Sequence, residues 1–413
     1  MKIITAQKGE TAEYFVSELK KYIVQMSRGS IVPTIEFSDV LPQESKDAIL
    51  LGTLEELSLN TSDLYDPFIE DIIDIHIENG KGYIAGSNLR SILMGVYKYA
   101  KSAGCRFIRP GADGDYVPKV DLMNHSFNYR KKADHPFRGE CCEGAISYEH
   151  MRDTVYWLPK IGMNMYMIEG LVPFTYMHKW YGHVYNTHLR QKGQCTDYDI
   201  LEEYINLLEQ DVKKTGIQLH TLGHAWLFEG MGIRHDHVTE NEKVKLSQDR
   251  NFDGLDGFDL SAMVQTSHAA TLEDIHRLRK TDPSIVPTCL ATIPQVRMTR
   301  KLKGVYSLDE SEKHTYFADS VGMVSDWRKR GPVYEVPFGT LYCKEVPNLI
   351  TAGRCTSVTD AMWDVMRVIP CCAVTGQAAG TAAAMTDDFP ALDIKQLQEK
   401  LSQSGVVLHE NDL

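Results

Sequence analysis

The sequence predicts an α/β protein of several domains, and three observations lead there. Strands and helices alternate through roughly the first 125 residues. A second alternation, at wider spacing, runs from Phe137 to Trp226. Beyond a polar stretch, the C-terminal region carries a helix rich in alanine and glycine, followed by a final amphipathic helix. With 413 residues, 43% hydrophobic and 24% charged, the chain has enough apolar content for two or three cores.

The first module opens with a strand at Lys2 to Thr5. Ala12, Phe15, Val16, Leu19, Ile23 and Met26 then recur at helical spacing. A strand at Ala48 to Gly52 follows, then two alternating runs, Ile73 to Ile77 and Gly82 to Ala85. They flank Asn79-Gly80, a dipeptide favoured in tight hairpins. A helix at Leu89 to Ala103 completes a module spanning 1–125, and the polar stretch Asn124 to Pro136 is expected to mark its boundary.

The second segment, 136–235, reads as strand Phe137 to Gly144, helix Tyr148 to Ile161, strand Met163 to Glu169, helix Asp197 to Thr215 and strand Gln218 to Trp226. That alternation predicts parallel strands with covering helices. His235 to Asn251 has no hydrophobic period and is the expected linker. The third region, 250–413, is expected to hold a helix around Ala270 to Arg279, an extended stretch at Leu290 to Met298, and strands at Val333 to Phe338 and Leu349 to Ala352. Helices at Thr375 to Met385 and Ile394 to Gln403 close it.

The net charge of -12 repels phosphate backbones, and the longest basic run is Arg328-Lys329-Arg330, so nucleic acid is not an expected partner. Nine cysteines at irregular spacing give neither CxxC geometry nor a disulfide scaffold and read as reduced thiols of a cytoplasmic protein. No apolar run resembles a leader or a membrane span, because the most apolar stretch, Val365 to Met385, contains Arg367, Pro370 and Gln377.

Five stretches carry a resemblance: FDGLDGFDL (252–260), PQVRMTRKLKGVYSL (294–308), VYEVPFGTLYCKEVPNLITAGRC (333–355), RVIPCCAVTGQAAGTAAAM (367–385) and LQEKLSQSGV (397–406). In that order and spacing they resemble the C-terminal part of the FAD-dependent oxidoreductase family. The resemblance implies FAD as cofactor and a small-molecule substrate. It places Gly353, Arg354, Thr375, Gly376, Gln377 and Gly380 against the flavin, with Arg297, Arg300 and Asp360 near the substrate.

The residue types suit that chemistry. Leu349 to Gly353 reads as a buried strand ending in a glycine, where backbone can approach a ligand closely. Thr375 to Gly380 is expected to open a helix whose N–H groups face an electron-rich flavin edge. The same glycines, four apart, would equally suit close packing on a sheet. Arg297 and Arg300 suit either an anionic ligand or surface ion pairs. Arg367, in an apolar run, requires a charge partner or a ligand. Many relatives carry a histidine after the GRC motif where this chain has Thr359 to Asp364, which leaves Asp360 or Asp364 as substitute base. The phosphate loop GxGxxG expected of such a flavoprotein is missing; Gly230 to His235 is a chance near-match.

The first 235 or so residues resemble instead the start of alpha-glucuronidase-like glycoside hydrolases. SNLRSILMGVYKYAKSAGCRFIRPG (87–111), FRGECCEG (137–144), IGMNMYMIEG (161–170) and HTLGHAWLFEGMG (220–232) carry that likeness. It implies an accessory α/β module followed by a partial (β/α) barrel segment. Glu140, Glu143, Glu169 and Glu229 are candidate carboxylates without a readable pairing. Trp180, His183, His188, His220, His224 and Trp226 suit a sugar subsite or ordinary strand-end polarity. His235-Asp236-His237 is a weak metal motif and no metal is expected.

The expected fold is therefore α/β: an accessory module, a barrel-like segment and the C-terminal part of an FAD-binding oxidoreductase fold. The expected function is FAD-dependent oxidation or reduction of a small molecule such as a sugar or sugar acid. One alternative is a carbohydrate-binding or glycosidase-like protein. Another is a truncated or fused chain without activity of its own. Open strand edges would then drive aggregation or pairing, including a homo-oligomer.

Overall fold

The structure, a computed structural model, describes residues 1–42, 47–142, 148–169, 197–222, 255–283, 299–328 and 331–412. The chain divides into two compact units, Met1–Glu240 and Asn241–Leu413.

The first unit begins with β1 (Lys2–Thr5) and α1 (Glu10–Met26). The helical spacing of Ala12, Phe15, Val16, Leu19, Ile23 and Met26 puts all six on one buried face. Next come β2 (Thr34–Phe37), β3 (Ala48–Thr53), β4 (Ile72–Glu78) and β5 (Lys81–Gly86). Asn79 and Gly80 both take positive φ, 50° and 74°, and close β4 onto β5. Two successive left-handed residues match the twist of the flanking strands, and glycine meets that conformation without strain. Helix α2 (Leu89–Ser102) is capped by Asn88, whose side chain accepts the Ser91 N–H.

A two-stranded ribbon, β6 (Arg106–Phe107) with β7 (Asp115–Tyr116), precedes β8 (Phe127–Lys132). The sheet order is β2-β1-β3-β5-β4-β8, with β4 antiparallel to both neighbours and the other pairs parallel. Strand β8 lies in the polar stretch expected to end the module. Phe127 and Tyr129 pack on the core while Asn128 and Arg130 face out, so the charges of FNYRKK are those of a protected sheet edge.

The second alternation is observed as β9 (Gly139–Cys142), α3 (Tyr148–Trp157), β10 (Met165–Glu169), α4 (Asp197–Thr215) and β11 (Gln218–Leu222). All three strands are parallel and adjacent in chain order. Met151, Val155, Leu158, Leu208 and Val212 cover them. The described residues form an open three-stranded sheet here, so a barrel is not among them.

Buried charge ties this sheet to the module. Asp71, 2% exposed, accepts from Arg90 Nε (2.8 Å), Ser91 Oγ (2.8 Å), Arg138 Nη2 (2.8 Å) and Asn164 Nδ2 (2.7 Å). Burial alone would raise its pKa, but the Arg90 charge and the hydrogen bonds from Arg138 and Ser91 outweigh burial and hold it below the usual carboxylate value.

The second unit contains α5 (Gly257–Thr281), β12 (Ser320–Ser325) antiparallel to β13 (Val333–Pro337), α6 (Asp360–Met366), α7 (Ile369–Ala383) and α8 (Ile394–Gln403). Its core joins Val321, Val336, Leu341, Met362, Val365, Ala378 and Leu397. Asp256 caps α5, accepting the Asp259 N–H, so the acidic FDGLDG segment ends in a helix start. Helix α5 runs far beyond the expected Ala270 to Arg279. The extended stretch expected at Leu290 to Met298 lies outside the described residues.

Two expectations are corrected in this unit. Leu349 to Ala352 is not a buried strand: it makes one bridge, Ile350 with Tyr342, and its side chains are half-buried or exposed. Helix α7 starts at Ile369, not Thr375, because Pro370 fits a first helical turn, where no N–H partner is needed.

Candidate functional site

Gly353 makes the central turn of the second unit. Its φ of 63° favours glycine, and a Cβ there would lie 3.1 Å from Cys372 Sγ. The Gly353 N–H donates to Thr375 Oγ1 at 2.9 Å, and that hydroxyl donates on to the Cys371 carbonyl at 2.8 Å. Thr375 therefore fixes the turn against α7 and has no donor left for a ligand. Burial pushes the Cys371 thiol up to about 12. It also raises Cys372, against the opposing charge of Arg354.

The corrected start of α7 changes the role of its glycines. Gly376 and Gly380 lie in the second and third turns, where helix N–H groups point to carbonyls one turn back. They are not donors at a helix end. Nor do they serve close packing: among the described residues, a Cβ at either would meet nothing within 4 Å. With the exposed Ala373 and Gln377 they form a smooth, accessible strip on one side of the helix.

The segment before the core runs along the Gly353 turn, with the Leu302 N–H donating to the Cys355 carbonyl at 2.8 Å. This places Lys301 beside α6. Its Nζ is 2.6 Å from Asp360 Oδ1 and 4.6 Å from the centre of the Trp363 ring. The Trp363 indole N–H donates to the Arg354 carbonyl at 2.8 Å. Asp360 is 93% exposed on its side chain, and Arg300 is exposed with one N–H on the Leu255 carbonyl. The structure thus brings Gly353, Arg354, Thr375 and Asp360 together through Lys301 and Trp363. The sequence reading missed both of those residues, although Lys301 directly follows Arg300.

Asp364 is excluded as an open base. Its carboxylate binds Arg367 at 2.5 Å and stands 3.8 Å from Arg328. Arg367 thereby finds the partner its apolar neighbourhood requires.

Arg297 lies outside the described residues, as do Gly230 to His235 and the metal motif His235-Asp236-His237. The same holds for Trp180, His183, His188, His224, Trp226, Glu143 and Glu229; of Glu169, only the strand position is described. Glu140 is half-buried on β9, and burial raises its pKa. His220 Nε2 sits 2.9 Å from Gln218 Oε1, and its ring stands edge-on to Phe137. Glu140 and His220 are the described remnant of the expected sugar site, and no carboxylate pair is seen there among the described residues. No described cluster of His, Cys, Asp and Glu could hold a metal, and no described helix is long and apolar enough to cross a membrane.

The model of the FAD dependent oxidoreductase family matches residues 181–401. That match opens upstream of residue 250, where the sequence motifs suggested the flavin-related region to begin. No curated protein matches the chain. Among solved structures, CpGH84D is similar over 67% of this chain and 39% of its own, at 12% identity and a TM-score of 0.32. A family GH115 4-O-methyl-alpha-glucuronidase, BtGH115A, with specificity for decorated arabinogalactans, is similar over 40% of this chain and 24% of its own, at 13% identity and a TM-score of 0.26. The chain thus spans well under half the length of either glycoside hydrolase.

Proposed function

Because this chain belongs to the FAD dependent oxidoreductase family, we propose that it oxidises or reduces a small polar molecule with a flavin seated between the Gly353 turn and the open strip of α7. One observation carries the reading. Gly376 and Gly380 have no packing reason among the described residues to be glycine, yet they lie beside a turn whose glycine is required. A flat ring system is the kind of group such a surface admits.

Gly353, Gly376, Gln377 and Gly380 would contact the cofactor through backbone and small side chains, with Arg354 at the rim of the turn. Thr375 is a positioning residue, since its hydroxyl holds the Gly353 N–H. Bound FAD would supply the two-electron acceptor. Asp360, held by Lys301, is the proposed acceptor of a substrate hydroxyl proton. Arg300, with Arg297, is the proposed holder of an anionic substrate group. A sugar or sugar acid is the substrate class that the sequence resemblance of the first 235 residues favours.

The test is a visible absorbance spectrum of the purified chain, followed by release and identification of any flavin after denaturation. Stoichiometric FAD that falls markedly in Gly380→Val supports the proposal. A colourless protein that takes up no added FAD refutes it.

A further inference from the structure

A cleft of about 300 Å³ in the first unit lies outside everything assigned above. Lys98 and Lys101 of α2, three residues apart and so on one helical face, line it together with Tyr129 of β8. Its other lysines and its arginine are each paired with a carboxylate. Lys131 pairs with Asp134 at 2.8 Å, Arg138 with Asp71 at 2.8 Å, and Lys160 with Asp115 at 2.7 Å.

Lys98 and Lys101 differ. Neither has a carboxylate partner among the described residues, and each is held over an aromatic ring instead. Lys98 Nζ is 4.4 Å from the centre of Tyr129, and Lys101 Nζ is 5.8 Å from that of Phe107. An aromatic face holds an ammonium in place but leaves its full charge uncompensated. Both side chains are half-buried, so water screens them incompletely.

Arg106, outside the lining of the cleft, adds to the excess nearby, because among the described residues its guanidinium donates to the carbonyls of Lys101 and Cys105 and to no carboxylate. Lys101 registers the strain: burial lowers its pKa, and the neighbouring charges of Lys98 and Arg106 lower it further. A cluster of like charges fixed in a cleft, in a chain whose net charge is -12, is relieved by an anion of more than one charge.

We propose that the cleft between α2 and β8 binds a small multivalent anion, a phosphate or polycarboxylate group, through Lys98 and Lys101. The volume admits one such group or a phosphorylated monosaccharide. The proposal is independent of the flavin reading, since every residue it uses lies in the first unit.

Calorimetric titration of the full chain at low salt, with inorganic phosphate, citrate and glucuronate as separate probes, tests it. Saturable binding of phosphate or citrate, at least tenfold tighter than of singly charged glucuronate, is expected. Binding of phosphate without citrate assigns the phosphoryl group, and the reverse assigns the polycarboxylate. The variant Lys98→Gln/Lys101→Gln should lose at least tenfold in affinity with an unchanged circular dichroism spectrum. The control Lys81→Gln/Lys119→Gln removes the same charge from exposed positions of the unit and should bind as the parent does. No saturable heat with phosphate or citrate overturns the proposal. So does equal weakening in both double variants, which would reveal a diffuse effect of net charge.

Discussion

Helices α2 and α7 are nearly equal in length, 14 and 15 residues, and each carries glycine at interior positions. In α2 ten residues are buried, and a Cβ on Gly95 would fall 2.6 Å from Ile84 Cγ2. In α7 five residues are buried, and Gly376 and Gly380 face open space among the described residues. Glycine is unfavourable inside a helix by about 1 kcal/mol against alanine. In α2 the sheet beneath accounts for that cost. In α7 nothing described within the chain does, and the proposed flavin seat rests on that difference.

A second contrast runs parallel. The charges of the first unit around Asp71 are buried and mutually satisfied, whereas those around Asp360 are open to solvent. The largest expected effect tests this contrast. Asp71→Ala leaves Arg90 and Arg138 without their shared carboxylate and should destabilise the first unit by about 3–5 kcal/mol in urea denaturation. A loss below about 1 kcal/mol would break the contrast. Because the folded-state pKa of Asp71 is depressed, its contribution is present above the unfolded value of about 3.9 and is lost as pH falls through the lower folded value. The stability gap between the parent and Asp71→Asn should therefore hold steady above pH ~5 and close only in stronger acid.

Next in size, Gly353→Ala should cost about 1–2 kcal/mol through its left-handed backbone, with the contact to Cys372 adding to it. Thermal unfolding of the second unit measures this. The glycine comparison itself predicts opposite signs. Gly95→Ala should destabilise by up to about 2 kcal/mol through overpacking on Ile84. Gly380→Ala should stabilise by about 0.5–1 kcal/mol while weakening retention of FAD. Equal signs for the two would show that α7 is packed like α2.

The smallest stability effect belongs to Lys301→Gln. Its partner carboxylate is almost fully exposed, so stability should change by no more than about 1 kcal/mol. If Lys301 positions Asp360 for proton transfer, turnover should fall while flavin content stays the same. Unchanged turnover would remove Asp360 from the proposed chemistry.

Legibility followed locality. The stripe from Ala12 to Met26, the Asn79-Gly80 turn and α8 at Ile394–Gln403 were readable because periodicity or turn chemistry within a few residues determines them. β2 was not, since all four of its residues are exposed and show no alternation. β8 was hidden by its edge charges, and the start of α7 by a proline that a first turn tolerates. The candidate site was half legible. Gly353 and Asp360 sit in the motif stretches, but Lys301 lies 59 residues from Asp360, and only folding makes them neighbours. Asp71 gave no signal, because Arg138 and Asn164 are 67 and 93 residues away.

That distance has a consequence for how this chain can be divided. A cut in the polar stretch between residues 125 and 136 would strand the Asp71 carboxylate on one fragment and two of its donors, Arg138 and Asn164, on the other. Neither fragment would be a sound recombinant product. Proteolytic mapping should find that stretch resistant, and a gene fusion exchanging only the first 125 residues should misfold. The smallest portable piece of the N-terminal architecture runs at least through Asn164, so the module travels with β9 and with the chain up to the start of β10.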